Sequence, residues 1–100
     1  MRVRLHPEAR AELRAARRWY YERSPLTATA FAHAVDNAVS RILEGPNQYP
    51  LAEHRTRKLI LKRFPFNIFY LPGESELVIV AVAHQKRRPG YWASRLPPSS

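Results

Sequence analysis

Ten consecutive residues near the C-terminus, AHQKRRPGYW (83–92), hold a histidine, three cations, a tyrosine and a tryptophan, and no carboxylate. Imidazole titrates near neutrality, so His84 could take or give a proton while a ribose hydroxyl attacks the adjacent phosphate. Lys86, Arg87 and Arg88, with Arg95 just beyond, would stabilise charge developing on the phosphorane oxygens. Tyr91 could donate the proton or, with Trp92, stack a base. Each of these residues also has a plainer reading. A lone histidine at a strand end commonly serves as a hydrogen-bonded structural group, and a Tyr-Trp pair can close a core, which is the favoured role for Trp92. The balance favours a functional binding surface over a catalytic one.

A second run of cations, Arg55, Arg57, Lys58, Lys62 and Arg63, lies before and along a segment of alternating hydropathy. If the C-terminal strands pair in sequence order, Lys58, Lys62 and Arg63 share one sheet face or rim with Lys86, Arg87, Arg88 and Arg95. A third group, Arg10, Arg14, Arg17 and Arg18, is interleaved with Glu8, Glu12 and Glu22 and reads as ordinary solvated helix surface. His6, His33 and His54 stand alone. The sequence has no glycine-rich phosphate loop, no nucleophile elbow, no metal-binding spacing and no tight carboxylate pair, so neither a metal nor a cofactor is expected.

These groups need a scaffold. A chain of 100 residues, 45% hydrophobic and with three glycines, suits one small globular domain, expected over residues 1–96 with a frayed tail at 97–100. It has no cysteine, so stability must come from packing, which fits a reducing cytoplasm. No segment has the roughly 18 apolar residues needed to cross a bilayer, and MRVRLHPEAR lacks a signal peptide's apolar run. The net charge of +9, from 17 Lys and Arg against 8 Asp and Glu, points to polyanionic partners, nucleic acid or acidic protein. Fourteen of the cations are arginine, whose planar fork suits phosphate and carboxylate.

RVRLH (2–6) alternates as a short strand, and His6-Pro7-Glu8 is a helix start. Ala9, Leu13, Ala16 and Tyr20 then draw one apolar stripe along a helix ending near Arg23. Ser24-Pro25 caps a second helix with Phe31, Val35, Ala38 and Ile42 on its stripe, and Gly45-Pro46 stops it. After a loop over 45–57 the period becomes two. KLILKR (58–63) and FNIFYL (66–71) read as strands, and Leu77 to Ala83, apolar on both faces, as a central strand. The expected fold is α+β, β-α-α-β-β-β, with a helical hairpin packed on a small, mostly antiparallel sheet.

HPEARAEL followed by WYYE, the proline-bounded NQYP, RFPFNIFY and AHQKRRPGYWASR together resemble the RelE/ParE superfamily of toxins from bacterial type II toxin–antitoxin modules, over residues 3–95. The resemblance implies the same fold, a small acidic antitoxin as partner, and a toxin–antitoxin hetero-oligomer. It also implies two target classes. RelE-like members cut messenger RNA on the ribosome without a metal. By likeness to them, Arg63 matches a sheet arginine, while Arg87, Arg88 and Tyr91 fall near the C-terminal functional segment. Without gaps, Trp92 takes the tyrosine's place and Lys86 that of an arginine. ParE-like members inhibit DNA gyrase, and FPFNIFY with HxxRRPxYW looks closer to these and to plasmid-stabilisation proteins. The leading expectation is a ParE-like growth inhibitor acting on gyrase through Lys58, Lys62, Arg63, Lys86, Arg87, Arg88, Trp92 and Arg95. The alternatives are a ribonuclease using His84, Tyr91 and Arg63, and a non-toxic nucleic-acid-binding module.

Overall fold

The computed structural model describes residues 1–98. In chain order it contains β1 (Arg2–Leu5), α1 (Pro7–Arg23), α2 (Pro25–Glu44), β2 (Arg57–Ile60), β3 (Phe66–Pro72) and β4 (Glu76–His84). Short 3-10 turns occur at Glu53–Arg55 and Ala93–Arg95. This is the expected α+β order. The expected frayed tail reaches Ser99 and Ser100, which lie outside the described residues.

Local chemistry fixes the helix ends. His6 Nδ1 accepts the Glu8 N–H at 3.1 Å, which satisfies one orphan donor of α1 while Pro7 removes another. Ser24 ends α1 by donating its N–H to the Tyr20 carbonyl and begins α2 by accepting the Thr27 N–H on its hydroxyl. A one-residue break of this kind forces the two helices into a hairpin, and their apolar stripes cover one face of the sheet.

The sheet order is β1-β4-β3-β2, with β2, β3 and β4 an antiparallel meander and β1 parallel to β4. On the helical face Phe31, Val35, Ala38 and Ile42 from α2 pack with Ala9 and Ala16 from α1 against Leu59, Ile68, Tyr70, Leu77, Ile79 and Val82. Alanines on α1 let its backbone approach the sheet closely. At one end Tyr20, Phe31, Phe64 and Phe66 form an aromatic group, with Phe31 and Phe64 edge to face at 5.2 Å.

β4 is the central strand and carries a bulge. Phe69 pairs with Ala81 and Tyr70 with Ile79, which leaves Val80 as an extra residue. The alternation therefore changes phase: Leu77, Ile79 and Val82 face the helices, whereas Val80, Ala81 and Ala83 join Phe69 and Trp92 on the opposite face. That second face is covered by residues 85–96, a strap that leaves β4 and crosses back beneath the sheet.

β2 ends at Ile60, short of the expected Arg63. Pro65 has no N–H for a ladder, and the chain turns instead through Leu61 N–H to Phe66 C=O and Phe66 N–H to Phe64 C=O, with Phe64 buried in the turn. Lys62 and Arg63 thus sit in a turn and not on a strand.

Candidate functional site

The exit of β4 is built from the sheet outward. His84 is the last residue of β4 and pairs with Phe66, whose ring meets the imidazole edge to face at 5.2 Å. Its Nδ1 accepts the Lys86 N–H at 3.1 Å, so Nε2 is the nitrogen left for other partners. The chain is also pinned here by the Gln85 N–H, which donates to the Pro65 carbonyl at 2.8 Å. Lys86, Arg87 and Arg88 follow as exposed residues, and the strap then turns inward at Gly90, whose φ of 74° lies in the left-handed region.

Two hollows flank this exit. A cleft of about 430 Å³ between α1 and the sheet is lined by Ala16, Trp19, Tyr20, Phe66 and Val82, with Glu12, His84, Arg87 and Tyr91 also on its wall. Trp19 is 51% exposed there, with the Arg23 guanidinium stacked at 3.5 Å over its ring. On the strap side a smaller hollow of about 180 Å³ gathers Lys58, Asn67, His84, Arg87 and Arg88, with Glu53 also on its wall. His84 and Arg87 border both.

The other expected cations part company with these. Lys62 and Arg63 line a separate hollow against α2, beside His33, Asn37 and Arg41. They lie at the same end of the sheet as Lys86, Arg87 and Arg88, since the β2–β3 turn and the β4 exit are adjacent there, but they do not share one pocket. Arg57 donates to the Tyr49 carbonyl at 2.6 Å and holds the 45–57 loop.

Two expected contact residues prove to be internal. Trp92 is 1% exposed, packed at 4.8 Å between ring centroids on Phe69, so it forms the core of the strap face. Arg95 turns under the sheet and forms a two-pronged bond to Glu12, Nη1 to Oε1 at 2.8 Å and Nη2 to Oε2 at 3.0 Å, while Nη1 also donates to the Val80 carbonyl at 3.1 Å. The guanidinium and carboxylate side chains are 12% and 17% exposed. The Tyr91 hydroxyl donates to Glu12 Oε2. Burial first, then the hydrogen bond and charge of Glu12, push the Tyr91 phenol well above its ordinary value, against the opposing pull of Arg95 and Arg87. The hydrogen bond to Glu12 likewise raises Arg95.

Glu12 is the residue that sequence reasoning missed, having been placed with the solvated acids of α1. Its spacing carried the signal: it stands three residues after Ala9 and four before Ala16, both buried, and so lies on the inward stripe. Arg95–Glu12 and Arg4–Glu76 are the two ion pairs among the described residues, so the cations of the β4 exit have no carboxylate at salt-bridge distance. No group of histidines and carboxylates that could hold a metal ion is present among the described residues, and no helix is long and apolar enough to cross a membrane.

The chain is thus a helical hairpin on a four-stranded sheet, with a cation-bearing exit from the central strand. The family model described as the ParE toxin of the type II toxin–antitoxin system parDE matches residues 3–89, and the chain belongs to that family. Among solved structures, a chain of the chromosomal ParDE TA system from P. aeruginosa is similar, with a TM-score of 0.71 and 22% identity over 84% of this chain and 95% of that one, a likeness of fold. No curated protein matches the chain. Glu12 lies inside the matched span, and Tyr91 and Arg95 lie beyond it.

Proposed function

We propose that this protein is a growth-inhibiting toxin that acts by binding DNA gyrase through the β4 exit, with Lys86, Arg87, Arg88 and Lys58 at the centre of contact and Lys62 and Arg63 at its margin. One observation carries the binding mode over the catalytic one. Of the three catalytic candidates, Tyr91 is committed to Glu12, Arg63 lines a different hollow, and His84 has one ring nitrogen tied to the backbone. His84 and Tyr91 border the same cleft, but the phenol is bonded to Glu12 and its pKa is raised, which leaves it a poor acid partner for the imidazole in strand scission. Four cations without carboxylate partners among the described residues, on a chain of +9, suit an acidic surface reached by electrostatic steering.

A small acidic antitoxin neutralises the toxin in a cytoplasmic hetero-oligomer. Support comes from the family and from the solved relative, which is a toxin–antitoxin system. An acidic, partly disordered segment is the partner chemistry that such a basic surface selects.

The test is plasmid supercoiling by purified gyrase. Added protein should suppress supercoiling, and supercoiling untouched at high molar excess would overturn the target. The ribonuclease reading draws on His84 and Arg87 bordering the same two hollows. It would gain if the protein cut messenger RNA on ribosomes and lost that cutting on His84→Ala. Harmless induction in a bacterial host without antitoxin would favour the non-toxic nucleic-acid-binding module.

A further inference from the structure

The edge of β4 is incomplete. β1 pairs with it over Glu76 to Ile79 and then leaves, since His6 donates its N–H to the Ile79 carbonyl and Pro7 starts α1. From Val80 onward no strand lies on that side among the described residues. The bulge at Val80 turns the Val80 carbonyl and the Val82 N–H toward this vacated edge. Buried backbone groups without partners are costly. Here Glu12 Oε1 accepts the Val82 N–H at 3.0 Å and Arg95 Nη1 donates to the Val80 carbonyl at 3.1 Å. The carboxylate and guanidinium, bonded to each other, stand where a neighbouring strand would offer its C=O and N–H.

The same carboxylate receives Tyr91, and two guanidinium groups lie near the centroid of the Tyr91 ring, Arg87 at 3.9 Å and Arg95 at 5.2 Å. One acid on α1 thereby joins the end of β4, the far end of the strap and, through the phenol, a cation of the exposed surface.

We propose that Glu12 is a positioning residue: with Arg95 and Tyr91 it clamps the strap to β4 and so fixes the geometry in which Lys86, Arg87 and Arg88 meet the target. The inference rests on the reading of those cations as the contact surface. The clamp itself is tested without reference to gyrase. Without it, the strap is held to the sheet by Trp92 and Leu96 and the basic segment samples many orientations, so that target binding must supply the ordering it otherwise finds in place.

The experiment compares the full chain with Glu12→Gln, Glu12→Asp and Tyr91→Phe in native-state trypsin digestion, following cleavage after Lys86 and Arg87, alongside the melting temperature and growth arrest on induction. Cleavage under these conditions tracks local opening. Glu12→Gln should be cut in this segment about tenfold faster or more, while the Arg41 site on α2 keeps wild-type protection. Glu12→Asp should recover part of the protection, and Tyr91→Phe should open the segment less than Glu12→Gln and remain folded if that variant does not. Growth arrest should weaken in the same order. Wild-type cleavage after Lys86 and Arg87 in Glu12→Gln and Tyr91→Phe would overturn the clamp, as would equal loss of protection at every site. Growth arrest at full strength with the segment open would overturn its positioning role. A wild-type protein that leaves gyrase untouched would instead remove the target reading, with the digestion result still deciding the clamp.

Discussion

The two faces of the sheet are held by different means. The helical face is closed by two regular helices whose stripes interlock over many apolar contacts. The opposite face is closed by twelve irregular residues, 85–96, that depend on one indole, one left-handed glycine and one carboxylate reached from the other side of the sheet. A face built from repeated small contacts tolerates the loss of any one. A strap with three anchor points does not, but it leaves its outward side free for cations that no core position could hold. The proposed contact residues accordingly sit on the face with the fewest regular hydrogen bonds, where a surface can vary without disturbing the fold.

This contrast can be broken most forcefully at one large buried anchor from each face. Phe31→Ala and Trp92→Ala should each cost about 3–5 kcal/mol, but in different ways. Phe31→Ala should lower the midpoint of one cooperative denaturant transition. Trp92→Ala should release the strap first, seen as cleavage after Lys86 at denaturant concentrations where the helices are intact by circular dichroism. If Trp92→Ala unfolds everything in a single step, the two faces are one cooperative unit and the contrast fails.

Glu12→Ala should cost about 2–3 kcal/mol in equilibrium unfolding, less than a fully buried pair because both side chains keep some solvent contact. Arg95→Ala in the same background should then add little, because the two act as one unit.

A pH effect comes next in size. The Tyr91 phenol has its folded value raised, so the unfolded chain loses this proton first, from about pH 10 upward. Its contribution is whole below that point and is lost as pH rises toward the folded value. The thermal midpoint should fall above about pH 10, and Tyr91→Phe should reduce that fall. Tyr20 and Tyr70, raised by burial, retain the remainder. An identical alkaline profile in Tyr91→Phe would deny Tyr91 its place in the clamp.

The smallest effect on stability belongs to the surface cations. Lys86→Glu with Arg88→Glu should change unfolding free energy by no more than about 0.5 kcal/mol. A larger destabilisation would mean that the strap's outer side is part of its packing.

The legible parts of this molecule were those with a period. The stripe Ala9, Leu13, Ala16, Tyr20, the stripe Phe31, Val35, Ala38, Ile42 and the doubly apolar Leu77 to Ala83 gave the hairpin, the sheet and its central strand. What a period cannot express stayed hidden. The bulge at Val80 looks, in sequence, like one more apolar residue. Spacing puts Glu12 on the inward stripe, but a glutamate among arginines passes for solvated, and nothing local names its partner Arg95, 83 residues away. Trp92 and Arg95 resembled binding residues because their types suit binding; a strap that folds back under the sheet inverts that inference, and strap direction depends on Gly90 and the Glu12 contact more than on composition. The split of Lys62 and Arg63 from Arg87 and Arg88 follows from the early end of β2, set by a turn around Pro65.

The most direct test of binding against catalysis is to induce two variants side by side without antitoxin and measure growth arrest. His84→Ala removes the one imidazole at the site, and Arg87→Glu with Arg88→Glu reverses its charge. Arrest kept by the first and lost by the second is the predicted result. Arrest abolished by the first and kept by the second would contradict it.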